Sequence, residues 1–471
     1  MSLATKVAYN TIIQIISKVI ATALGLAAIA IMTRYLGKEG FGQYTTIVTF
    51  LSFFGIVADL GLTLVTVQMI SQPGVNENKI LSNLFSLRLV SAIIFLGLAP
   101  LVVIFFPYDP IIKLGVAVTT LSFFFIALNQ ILVGLFQKNL RLDKVSIAEV
   151  AGRIVLVIGV AIVWFYDLGL INIMIATVIA SAINFLLHFS FSRQFARIKL
   201  SFNFLIWLDI IKKSWPLALT IVFNLIYLKA DTLILSLIKS QAEVGIYGAT
   251  YKVIDVLITF PFMFAGIILP IMTARWARKD QQGFKNALQK SFNIMIITAM
   301  PIIIGTQLVA KKVMTVVAGQ EFIESGPVLQ ILILAAGIIF IGCIFAHAII
   351  AIDKQKKLIG VYIFTAITAV IGYLIFIPRY SYFGAAWVTI YSEFAITLST
   401  FYLVWKYAKF LPSLKIIGKS LIASIIMAII IYYTLNLNLF LVLALAVIIY
   451  FIALYLLKGI TKQDIMNIMN K

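Results

Sequence analysis

Apolar residues run in blocks of about 20, the length an α-helix needs to cross a bilayer, and short polar connectors separate them. The pattern predicts spans over 9–33, 41–67, 80–106, 111–135, 145–166, 169–192 and 214–237. It continues with 244–272, 287–309, 326–352, 358–377, 383–405, 416–434 and 437–457. The last two are short and separated only by Asn436 and its neighbours, so twelve spans compete with fourteen. Backbone amides in hydrocarbon need internal partners, which leaves helices or a closed barrel. Barrel strands would alternate over ~10 residues, and these runs are continuous. The expected class is an all-α polytopic membrane protein with about 14 transmembrane helices.

Charge adds an orientation. Of 37 Lys and Arg, 25 lie in, or within one turn of, the termini and connectors of one parity, from Lys6 and Lys79 through Lys138, Arg141 and Lys144 to Lys458, Lys462 and Lys471. Seven lie on the other side: Arg34, Lys38, Lys113, Lys239, Lys311, Lys312 and Arg379. By the positive-inside rule both termini of this multi-pass protein are cytoplasmic. The net charge of +20 is thus read as topology and headgroup contact, with membrane lipids and not nucleic acid as partner. Cys343 is the single cysteine and His188 and His347 the only histidines. Disulfides and a thiolate or histidine metal site are not expected. The first apolar run is followed by Arg34, not a small-residue cleavage site, and is read as an uncleaved span.

The longest cytoplasmic connector, 193–213, carries Phe202, Phe204, Ile206 and Trp207 and reads as an amphipathic interfacial segment. It divides the chain into near-equal halves with faint echoes. Gly42-Gln43-Tyr44 follows span one as Gly245-Ile246-Tyr247 follows span seven. Such echoes suit a transporter built from repeats.

The run Thr33-Arg34-Tyr35-Leu36-Gly37-Lys38-Glu39-Gly40-Phe41-Gly42-Gln43-Tyr44 resembles the signature after span one of Wzx-like polysaccharide and O-antigen flippases. These belong to the multidrug/oligosaccharidyl-lipid/polysaccharide (MOP) superfamily. Asp59-Leu60-Gly61-Leu62, Gln137-Lys138-Asn139-Leu140-Arg141 and Tyr382-Phe383-Gly384-Ala385-Ala386-Trp387 resemble further elements of that group, in order along nearly the whole chain. The resemblance implies two pseudo-symmetric six-helix lobes around a central cavity, plus two C-terminal helices. On this chain the lobes would be 1–192 and 214–405, joined by the 193–213 connector, with 406–471 holding the extra helices and a cytoplasmic tail. It also implies a substrate, a polyprenyl-pyrophosphate-linked oligosaccharide, moved from the cytoplasmic to the outer leaflet by alternating access. A polysaccharide polymerase and a chain-length regulator are candidate partners.

An anion crossing ~30 Å of hydrocarbon needs cations or N–H donors lining a protein cavity. Five basic residues lie inside the spans: Lys18, Arg88, Arg153, Lys229 and Lys252. Lys18 shares a helical face with Asn10, Gln14 and Thr22, and its distance from Lys6 places it near mid-membrane. Arg88 has no acid one turn away and is free to contact ligand or to snorkel. Arg153 follows Glu149 by four residues, so an internal ion pair is the favoured reading. Lys252 precedes Asp255 by three and is a second possible pair. The candidate substrate-binding set is Lys18, Arg88, Arg153, Lys252, Gln14 and Lys229.

The membrane acids are Asp59, Glu149, Asp231, Asp255 and Glu393. Asp255, Glu393 and Asp231 are candidates for coupling to H+ or Na+, and Asp59 is read as structural. Asn224, Tyr227 and Asp231 share one face. Tyr35, Tyr44, Tyr108, Trp164, Tyr166, Trp215 and Trp405 fall near segment ends and are read mainly as interfacial belts. Pro261, Pro270 and Pro301 are hinges or kinks in spans eight and nine. There is no P-loop, zinc motif or nucleophile elbow, so no cofactor and no enzymatic activity are expected. The runner-up function is an ion-coupled multidrug or cation antiporter of the same superfamily.

Overall fold

The computed structural model describes residues 3–72 and 76–460. The side chains of Asn10 and Asn224 and the charges after 460 lie outside the described residues. Thirteen α-helices make up the described secondary structure, with three short 3₁₀ turns and no strand. In order they are α1 Leu3–Asp59, α2 Leu62–Ile70, α3 Glu77–Val102, α4 Pro110–Lys138, α5 Leu142–Phe165, α6 Leu170–Ser192 and α7 Phe204–Ile238. Then come α8 Gln241–Ala277, α9 Gln281–Ala318, α10 Ser325–Ala351, α11 Leu358–Ala408, α12 Lys415–Thr434 and α13 Leu439–Leu456.

Among the described residues twelve helical stretches are long and apolar enough to cross a membrane. Two of them are bent back on themselves. In α1 the break is Gly37, at φ 63° and ψ −172°, a backbone region open to glycine and costly for other residues. Gly25 on the first arm and Tyr44 on the second both reach Arg153 of α5. In a straight helix they would stand ~28 Å apart. In α11 the break is Ser381, at φ 51°. Across it Tyr391 donates to Thr368 Oγ1 at 3.1 Å, and Gly372 packs on Val388. Counting each bent stretch twice gives fourteen apolar segments, the larger of the two predicted counts.

Predicted span two is interrupted. Leu60 and Gly61 both take positive φ, so α1 stops at Asp59 and α2 restarts at Leu62. Pro261, Pro270 and Pro301 lie within α8 and α9, which run through them.

By internal contacts the chain forms two compact units, 1–248 and 249–471. This division falls later than the 193–213 connector, because α7 packs on α1, α2 and α3. Extended residues 197–203 also bind to α3. The N–H groups of Arg197, Lys199, Ser201 and Asn203 donate to Asn78, Ser82, Ser86 and Asn83 respectively, at 2.8–3.1 Å. The connector's apolar face is split accordingly: Trp207 and Ile210 are buried, whereas Phe202, Phe204 and Leu205 are exposed.

The echoing glycines of the first unit meet each other. A Cβ on Gly42 would stand 1.7 Å from the Gln241 carbonyl oxygen, and one on Gly245 would stand 2.0 Å from that of Lys38. The second arm of α1 and the first turns of α8 thus cross backbone on backbone, in a reciprocal arrangement.

In the second unit α12 packs on α9 and α13. Lys312, one of the few basic residues of the minority parity, donates to the carbonyls of Leu435 and Leu437 in the α12–α13 turn. Tyr450 of α13 donates to Ile297 O of α9 at 2.8 Å. The two C-terminal helices therefore belong to the second unit's core.

Gly42→Ala and Gly245→Ala should each lower the thermal midpoint of the purified protein, at a cost of ~1–3 kcal/mol typical of overpacking. Gly266→Ala, where a Cβ meets nothing within 4 Å, should leave it unchanged. Equal midpoints for all three variants would show that the crossing is not tight.

Candidate functional site

The intramembrane charges of the first unit are arranged in two ways. Arg88 of α3 is closed off. It is 1% exposed, and its Nη1 lies 2.7 Å from Asp59 Oδ1. Nε donates to Ala127 O at 3.0 Å, Nη1 to Ala58 O at 2.9 Å, and Nη2 to Gln130 Oε1. Protein acceptors thus face four of its five N–H donors. The break at Leu60–Gly61 is what makes this possible, since it ends α1 with the Ala58 carbonyl and the Asp59 carboxylate both available to α3. Thr63, at the start of α2, donates to the same carboxylate at 2.5 Å. Arg88 neither snorkels nor lacks an acid. Its partner comes from another helix, which sequence spacing cannot reveal.

Lys18 is held openly. Its Nζ stands 3.4 Å from Glu149 Oε1, with side chains 45% and 34% exposed, so the pair is within reach of whatever enters. Ser17 and Ser146, one residue before Lys18 and three before Glu149, share a 2.6 Å hydrogen bond between α1 and α5. Glu149 lies seven residues into α5, ~10 Å from its start. Lys18 is correspondingly shallower than mid-membrane. The first arm of α1, residues 3–36, is ~50 Å long, so Lys6 does not mark the membrane surface. Gln14 is exposed.

Arg153 is not paired with Glu149 among the described residues, contrary to the i,i+4 expectation, because Glu149 turns to Lys18. It lines a cavity of about 300 Å³ with Tyr44, Ser122, Glu149, Ser181 and Asn184. Asn184 of α6 ties the walls together. Its Nδ2 donates to Ala148 O at 2.9 Å, and its Oδ1 accepts from Asn129 of α4 at 2.5 Å. A neighbouring cavity of about 480 Å³ is lined by Asp59, Thr63, Arg88, Gln130 and Lys229. Phe123 and Ile126 line both. The charged residues lining the two are Asp59, Arg88 and Lys229 in one and Glu149 and Arg153 in the other, with Lys18 in contact with Glu149.

The remaining candidates lie elsewhere. Asp231 is buried and accepts from Tyr247 at 2.8 Å and from the Thr232 hydroxyl at 3.1 Å. Asp255 and Lys252 are on α8. Glu393, 6% exposed, sits on the second arm of α11. The second unit also holds an apolar cleft of about 410 Å³ between α9, α12 and α13, lined by Pro301, Met427, Ile431, Val447 and Phe451.

Two aromatic residues assigned to the belts are placed inside. Tyr44 lines the Arg153 cavity, and Tyr108 is buried 2.7 Å from Ser236 Oγ. Trp164, Tyr166 and Trp215 are exposed, as belts require. Sequence reasoning missed Ser17, Asn129, Gln130 and Asn184. The available signal was amides inside apolar runs, which attract partners as charges do.

The fold and the site define a polytopic helical membrane protein with charged side chains lining cavities inside its first unit. Residues 31–327 match the family described as "Polysaccharide biosynthesis protein", and the chain belongs to that family, a Wzx-like group of MOP-superfamily flippases. The lipopolysaccharide biosynthesis protein WzxC of Escherichia coli (strain K12) is 23% identical over 343 residues, covering 70% of this chain and 67% of that protein. The lipid II flippase MurJ, in an inward closed conformation, superposes with a TM-score of 0.77 at 17% identity, over 96% of this chain and 99% of MurJ. An inward-facing multidrug resistance MATE transporter gives 0.70 at 15%, over 83% and 94%. At these identities the two structures establish the fold.

Arg88→Ala should strand Asp59 and cost ~3–5 kcal/mol, as breaking a buried pair does, seen as a lower thermal midpoint and less protein in the membrane. The double substitution Arg88→Met with Asp59→Leu should recover most of that loss. An unchanged midpoint in Arg88→Ala would show that the pair is not structural.

Proposed function

We propose that this chain flips a polyprenyl-pyrophosphate-linked oligosaccharide from the cytoplasmic to the outer leaflet of a bacterial inner membrane, by alternating access and with both termini cytoplasmic. The observation that carries the proposal is the accessible Lys18–Glu149 pair beside Arg153 in a polar cavity, within a family of polysaccharide biosynthesis. A pyrophosphate diester carries two negative charges, which Arg153 at the cavity and Lys18 on its Glu149 side can meet. Arg153 offers a bidentate fork for phosphate oxygens. Ser122, Ser181 and Asn184 offer hydrogen bonds to sugar hydroxyls. The prenyl chain needs only apolar surroundings, which the lipid itself supplies.

In this reading the protein moves its substrate without chemical change, and a polymerase takes the glycan on the far side. A cationic drug would meet Lys18, Arg153 and Lys229 around the same cavities, so the multidrug antiporter reading has no observation in its favour. Coupling to H+ or Na+ is part of the proposal.

In a strain whose own flippase gene is deleted, Lys18→Ala and Arg153→Ala should each reduce surface glycan at least ~10-fold, the loss of one charge-assisted contact. Protein in the membrane should stay at the wild-type level. Arg153→Lys should retain partial export. Full export by the Lys18→Ala, Arg153→Ala double variant would contradict the proposal.

A further inference from the structure

The two arms of α11 form a hairpin that bends at Ser381. Near the bend they are in close contact, with Gly372 on Val388 and Tyr391 bonded to Thr368. The same antiparallel register brings Val361, near the start of the first arm, to Leu398 and Ser399 of the second. There the seam is open. Val361, Leu398, Ser399, Phe401, Tyr402 and Trp405 line a groove of about 580 Å³. Leu398, Tyr402 and Trp405 are about half exposed, so the groove is reached from the protein's surface. Ser399, Tyr402 and Trp405 add hydroxyl and indole groups to a lining that is otherwise apolar.

Cations gather at this end of the hairpin. Lys354, in the turn before α11, brings its Nζ to 5.5 Å from the Tyr407 ring centroid. Lys406, in the last turn of α11, brings its Nζ to 5.9 Å from the same ring and 6.0 Å from the Tyr402 ring. Lys409 Nζ is 5.8 Å from the Trp405 ring. Tyr402 and Trp405, both groove residues, have their rings 6.0 Å apart. Aromatic faces attract each ammonium, and a helix C-terminus favours Lys406 and Lys409. Neither effect offsets the repulsion of two ammonium groups drawn to one ring from different elements. Between 351 and 415 the sequence holds two acids, Asp353 and Glu393. Glu393 is buried, and Asp353 accepts from Gln355 at 3.0 Å.

An apolar groove that ends among clustered lysines matches an amphiphile with an anionic head. Basic pockets between membrane helices take lipid headgroups in this way. We infer that the open end of the α11 hairpin binds a glycerophospholipid with an anionic headgroup. One acyl chain lies along the seam between Val361 and Leu398, and the headgroup phosphate meets Lys354 and Lys406. The occupant is a lipid of the surrounding bilayer and not a glycan carrier, because the lining offers too few hydrogen-bonding groups for an oligosaccharide. The site belongs wholly to the second unit, so it holds or fails without regard to the export reading.

The test uses the full chain in detergent micelles, titrated with dioleoylphosphatidylglycerol or dioleoylphosphatidylcholine and read by native mass spectrometry. The two lipids share acyl chains and differ in headgroup charge. The wild-type protein should bind its first phosphatidylglycerol at least ~10-fold more tightly than its first phosphatidylcholine. Lys354→Gln with Lys406→Gln should abolish that preference. Lys285→Gln with Lys290→Gln, which removes the same charge from α9, should keep it. Leu398→Trp, which fills the groove and leaves both lysines, should weaken the first phosphatidylglycerol. A thermal midpoint for each variant confirms that it is folded. Equal wild-type affinities, a preference kept without Lys354 and Lys406, a preference lost in the α9 variant, or unchanged binding by Leu398→Trp overturns the inference. Displacement of phosphatidylglycerol by equimolar citronellyl-pyrophosphoryl-N-acetylglucosamine gives the site to a glycan carrier and also overturns it.

Discussion

A charge inside a bilayer must be met by protein or by water that protein admits, because lipid offers neither a counter-ion nor a hydrogen bond. Each intramembrane charge of the first unit obeys this constraint, in one of two ways. Arg88 is enclosed by Asp59, Gln130 and two backbone carbonyls. Arg153 and Glu149 line a cavity, and Glu149 meets the half-exposed Lys18 across a 3.4 Å gap. The enclosed charge joins helices. The accessible ones remain available to a ligand, and that division separates framework from candidate site.

The same constraint shapes the backbone around these charges. Ending α1 at Asp59 delivers a carboxylate and a carbonyl to Arg88. Bending α1 at Gly37 brings Gly25 and Tyr44 to one side of Arg153. The contact of Gly42 with Gly245 sets the crossing of α1 and α8 at backbone distance. At the helix ends Lys113 and Lys312 donate to carbonyls at 3.1 and 3.2 Å. These minority-parity residues thus serve the fold as well as the membrane surface.

Much of this was legible in the residues alone. Span number, helix type and family followed from apolar length, continuity and the run from Thr33 to Tyr44, because these are local properties. The five basic residues inside spans were also visible as breaks in an apolar pattern. Their partners were not. Spacing along one helix suggested Glu149 with Arg153, but the carboxylate turned to a lysine 131 positions away. Arg88 looked unpaired because Asp59 reaches it from α1 only after the break at Leu60. Pairing between helices is a tertiary property, and periodicity carries no record of it.

The central claim is that the cavity around Arg153 receives the phosphate. The chain's single cysteine makes this directly measurable. In a Cys343→Ser background, Arg153→Cys should react with a small anionic thiol reagent, and excess citronellyl-pyrophosphoryl-N-acetylglucosamine should block that reaction. Reaction at an undiminished rate in the presence of the lipid-linked sugar would place the anion elsewhere and contradict the account.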